Sequence, residues 1–100
     1  MTFTEEQIEQ IEMLAGINYS VRKIAMYLDI DLKLLQKEFE DKESTFRYHF
    51  DRGRLVAQAE IDMKAVESAK GGNLTAMQQY EKVRTARHFE NMRDQLIDGH

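Results

Sequence analysis

Four acids, Asp51, Glu60, Asp62 and Glu67, and three histidines, His49, His88 and His100, are the side chains of this sequence best suited to proton transfer or metal binding. Their spacing does not bring them together. No His-x-x-x-His pair occurs, and nothing pairs the acids with a nucleophile. No glycine-rich phosphate loop is present, and the absence of Cys removes thiolate metal sites and disulfides. The expectation is a chain that is not an enzyme, with no catalytic residues, no metal and no cofactor. A second kind of chemistry is better represented. Arg22, Lys23, Lys33, Gln36 and Lys37 fall within sixteen residues. Lys and Arg suit phosphate contacts, and Gln can read an adenine edge. These five are the candidate DNA-binding residues.

The elements that must position them are legible in residues 20–39. Ser20 and Asp31 are side chains that cap helices, because their oxygens accept orphan backbone N–H groups. Ile24, Ala25 and Leu28 share one helical face, and Leu35 and Phe39 another. Two short helices joined by a turn of about three residues make a helix-turn-helix. Arg22 and Lys23 open its first helix. Lys33, Gln36 and Lys37 lie on the outer side of the second, and Ile30 plugs the angle between the two.

Closer to the N-terminus, another helix begins at Thr4. Thr4 and Gln7 have capping-box spacing, and Phe3 and Ile8 the spacing of a hydrophobic staple. Ile8, Ile11, Leu14 and Ala15 form its buried stripe, and Gly16 is expected as its left-handed stop. Residues 40–45 form a polar connection in which Ser44 or Thr45 caps the next helix. From there to Lys70 the sequence predicts one long helix, interrupted only by Gly53. Its apolar residues make two stripes. Val56, Ala59, Met63 and Val66 form one, and Phe50, Ala57, Ile61, Ala65 and Ala69 the other. A lone amphipathic helix needs one stripe, so a wide arc implies burial on two sides. Phe50, Val56, Ala59, Ile61, Met63 and Val66 are therefore the candidate oligomer interface. Gly71-Gly72 ends the helix and Asn73 or Thr75 caps a last one, carrying Leu74, Met77, Tyr80, Val83, Phe89, Met92 and Leu96 to about Ile97. Residues 98–100 read as a frayed tail.

The fold expected is all-α. Residues 1–43 form a helix-turn-helix unit, and residues 44–100 a long antiparallel helical hairpin that oligomerises. Composition agrees: Pro is absent and Gly scarce. No apolar run spans a membrane, and no signal core opens the chain, so an intracellular protein is expected. Charge is uneven. Residues 1–43 hold ten acids and five bases, net −5, and residues 44–100 eight acids and nine bases, net +1. An autonomous DNA-binding domain is usually basic, so DNA contact should be weak in each subunit.

The order of these parts resembles the small terminase subunits of tailed phages. The resemblance rests on Ile24-Ala25-x-x-Leu28-x-Ile30, then Arg52-Gly53-Arg54 in a long helix, then Gly71-Gly72-Asn73-Leu74-Thr75-Ala76 and Tyr80-x-Lys82-x-Arg84. It covers roughly residues 10–84. Asp29 stands where the family's turn usually has Gly, and Asp31 where it usually has Ser or Thr. The resemblance implies a non-catalytic ring, acting in the host cytoplasm. It would recognise double-stranded viral DNA during genome packaging and regulate the ATPase and nuclease of the large terminase subunit. Two alternatives share the residues: a dimeric helix-turn-helix transcriptional regulator, and a protein-interaction module whose helix-turn-helix no longer binds DNA.

Overall fold

The computed structural model describes residues 1–98, with side chains described as far as Gln95. It is all-α. The helices are α1 (Glu5–Gly16), α2 (Val21–Leu28), α3 (Leu32–Glu40), α4 (Thr45–Lys70) and α5 (Leu74–Asp98), with no strand among the described residues. The expected tail at 98–100 falls at this limit. Asp98 closes α5, while Gly99 and His100, and the side chain of Leu96, lie outside the described residues.

Local chemistry sets the helix ends. The Gln7 N–H donates to Thr4 Oγ1 at 3.1 Å and the Thr4 N–H to Gln7 Oε1 at 2.9 Å, a closed capping box. At the other end of α1 the left-handed residue is Asn18, at φ 72°, and not Gly16. Asn tolerates that conformation where most side chains do not. Gly16 serves a different purpose. A Cβ there would lie 3.0 Å from the Gly53 carbonyl oxygen and 3.2 Å from Ala57 Cβ. A Cβ on Gly53 would lie 2.6 Å from Glu12 Cα and closer still to its carbonyl oxygen. Backbones of α1 and α4 cross at these two glycines, a separation that only a missing side chain permits. Gly53 is thus a packing requirement rather than a tolerated interruption.

The chain divides into two compact units. The first runs from Met1 to Ala59, past the expected boundary at residue 43. The reason is its core, formed by Ile11, Ala15, Ile24, Ala25, Leu35, Phe46 and Phe50. The last two come from α4. Phe46 and Phe50 lie 5.8 Å apart, centroid to centroid, and the Phe39 ring meets Phe50 edge-on at 5.0 Å. Phe50, expected at an oligomer interface, is only 2% exposed. It is spent on the core of its own protomer and cannot serve another.

Several polar contacts fasten the start of α4 to this unit. The Ser44 hydroxyl donates to the Glu38 carbonyl and accepts from the Arg47 N–H at 3.1 Å. Arg47 donates to the Phe39 carbonyl at 2.9 Å, pairs with Asp51 and lies over the Phe39 ring at 4.4 Å. Glu12 receives both His49 Nδ1 and Arg52 Nη1 beside the glycine crossing.

The second unit begins at Glu60. Its helices are joined by a turn in which Gly72 takes φ 90° and the Asn73 N–H returns to the Ser68 carbonyl at 3.3 Å. Asn73 Oδ1 accepts from the Ala76 N–H at 2.9 Å and starts α5. Ala76, at 7% exposure, is the only buried residue among those described in this unit.

Candidate nucleic-acid interface

Ser20 caps α2 by accepting from the Lys23 N–H at 3.2 Å. At its far end Asp29 adopts φ 56°, ψ 47°, the left-handed conformation that glycine adopts most readily. The Ile30 N–H returns to the Ala25 carbonyl at 2.9 Å and the Asp29 N–H to that of Met26 at 3.3 Å, which satisfies the last carbonyls of α2. Ile30 then packs on the core, and Asp31 Oδ1 caps α3 by accepting from Lys33 and Leu34 N–H groups at 2.8 and 3.3 Å. Helices α2 and α3 pack directly on each other. Ile24, Ala25 and Leu35 point inward, and that leaves the opposite faces of both helices to solvent.

Arg22, Lys23, Lys33 and Lys37 are placed on α2 and α3, and all four are exposed there. None of the four belongs to an ion pair among the described residues. The arginines of α4 in the same unit are engaged instead: Arg47 with Asp51, Arg52 with Glu12, and Arg54 over the Phe50 ring at 4.4 Å. Gln36 departs from its expected role. It is half-buried, and its side-chain amide donates to Glu40 Oε1 at 3.4 Å. Sequence reasoning passed over the apolar neighbours. Leu32 is 41% and Leu34 56% exposed in the first turn of α3, and Met26 and Tyr27 are exposed on α2. The signal was partial: Leu34 lies off the face of Leu35 and Phe39, whereas Leu32, three residues before Leu35, shares it.

The remaining interface candidates divide between the units. Val56 is exposed and Ala59 half-buried in the first. Ile61 and Met63 are exposed and Val66 half-buried in the second, where Leu74, Met77, Phe89 and Met92 are exposed as well. A groove of about 420 Å³ in this unit is lined by Asp62, Ala65, Tyr80, Val83, Arg87 and His88, among others. Arg87 donates to Glu90 at 2.7 Å and to Asp62 at 3.4 Å, and Glu90, then Asp62, hold its guanidinium above its ordinary pKa.

No group of three or more His, Asp or Glu side chains among the described residues is arranged to hold a metal ion. No described helix is long and apolar enough to cross a membrane. Comparison with protein-family models, with curated proteins and with solved structures finds no match.

Proposed function

We propose that this chain is a non-catalytic DNA-recognition subunit of a phage genome-packaging terminase. In this reading α2, the turn at 29–31 and α3 form a helix-turn-helix. Helices α4 and α5 form an antiparallel hairpin through which copies assemble into a ring, and the ring regulates the large motor and nuclease subunit. The carrying observation is a division of labour in burial and charge. The first unit closes its own core and leaves Arg22, Lys23, Lys33 and Lys37 on α2 and α3 without a carboxylate partner among the described residues. The second leaves Ile61, Met63, Leu74, Met77, Phe89 and Met92 exposed. So many exposed apolar side chains on a unit that buries only Ala76 among its described residues favour association as the means of covering them. Each subunit binds DNA weakly, because Asp29 and Asp31 flank the cations. A ring sums those contacts into useful avidity.

Duplex binding measured against salt tests the DNA half. Replacing Lys33 and Lys37 with Ala should weaken binding and lower the salt slope by roughly one unit for each phosphate no longer neutralised. A chain that binds no duplex at low salt would instead fit the protein-interaction alternative. Native mass spectrometry tests the other half: many copies support a ring, and two copies a dimeric regulator.

A further inference from the structure

We infer that Leu32 and Leu34, in the first turn of α3, make this protein prefer thymine-bearing duplex DNA by packing on thymine methyl groups in the major groove. The inference rests on the DNA reading above and adds what the surface discriminates. Residues at the start of a recognition helix are those that reach base edges. Here that turn presents Leu32, Lys33 and Leu34, and both leucines are exposed although the adjoining Leu35 is fully buried. Lysine can satisfy a phosphate or a guanine edge, but a leucine side chain has no polar atom to offer either. The thymine C5-methyl is the apolar group that a major groove presents. The one amide expected to read a base, that of Gln36, is half-buried and engaged with Glu40. Phosphate attraction is also blunted, because the Asp31 carboxylate sits at the same helix start, held there by the Lys33 and Leu34 N–H groups. Discrimination then falls to the apolar contacts. The flanking cations Arg22, Lys23, Lys33 and Lys37 supply the charge complement to the duplex.

The test uses the full chain and two A·T duplexes of about 20 base pairs, identical except that one carries deoxyuridine in place of thymidine. The exchange removes only methyl groups. The parent protein should bind the thymidine duplex about fourfold more tightly for each methyl contacted, the effect of burying about one CH₂-sized group. Leu32→Ala and Leu34→Ala should each reduce that preference, and the double variant should abolish it while retaining salt-dependent binding. Circular dichroism checks that the variants stay helical. Equal affinity of the parent for both duplexes overturns the inference and leaves the DNA reading standing. So does a preference that persists in the double variant. If neither duplex binds at low salt, the DNA reading falls and the inference falls with it.

Discussion

The two units of this chain solve the burial problem differently. Up to Ala59, four helices converge on seven buried apolar residues, two of them phenylalanines, and short polar contacts fix where the helices cross. From Glu60 onward, two helices joined at Gly71-Gly72 bury Ala76 alone among the described residues. Ordering a residue costs on the order of 1–2 kcal/mol of chain entropy, and apolar burial is the main term that offsets it. The first unit has that offset within itself. The second has it only if something covers Ile61, Met63, Phe89 and their neighbours. On the proposed reading, the difference makes the residues from Glu60 onward the part of the molecule that needs a partner, while α2 and α3 already rest on a closed core.

The largest effect should come from deleting one aromatic ring in each region. Phe46→Ala, in the fully buried core, should cost about 3–5 kcal/mol in urea or thermal unfolding. Phe89→Ala, at a residue 64% exposed, should cost about 0.5 kcal/mol or less at concentrations where the protein is monomeric. Similar losses at the two positions would break the comparison. Truncation sharpens it next. A fragment of residues 1–59 should unfold cooperatively, whereas one ending at Glu43 lacks Phe46 and Phe50 and should show little helix by circular dichroism. Native-like helicity in the shorter fragment would contradict the structure's division at Ala59.

Smaller effects test the backbone. Gly53→Ala gains helix propensity yet drives a methyl group into Glu12, so a net loss of about 1–3 kcal/mol is expected. A neutral or stabilising result would show that α1 and α4 cross less closely. Asp29→Gly relieves a left-handed aspartate and should stabilise by about 0.5–1 kcal/mol. It also removes a negative charge beside the proposed DNA surface, so duplex affinity should rise rather than fall.

The features legible in the sequence were mostly local. The capping box at Thr4 and Gln7, the caps Ser20 and Asp31, and the inward faces of α1, α2 and α3 all derive from spacings of four residues or fewer, and the structure has each of them. The features that could not be read were nonlocal. Gly53 looked like a mild defect because the residue that demands it, Glu12, is distant in sequence. Phe50 went to the wrong surface because periodicity shows how many stripes a helix carries, not what covers each one. Asn18, and not Gly16, is the left-handed residue after α1 for the same reason: a glycine near a helix end serves equally as a stop or as a gap for another backbone. In the candidate interface the cations stood out by type. Gln36's retreat and the exposure of Leu32 depended on how α3 is rotated against its neighbours.

The central claim is that the second unit is completed by other copies of itself. Native mass spectrometry of the full chain beside an Ile61→Glu, Met63→Glu variant tests it most directly. The account predicts a multimer of defined stoichiometry for the parent, and a monomer for the variant that keeps the unfolding transition of its N-terminal unit. A monomeric parent, or a variant that assembles to the same mass, would contradict it.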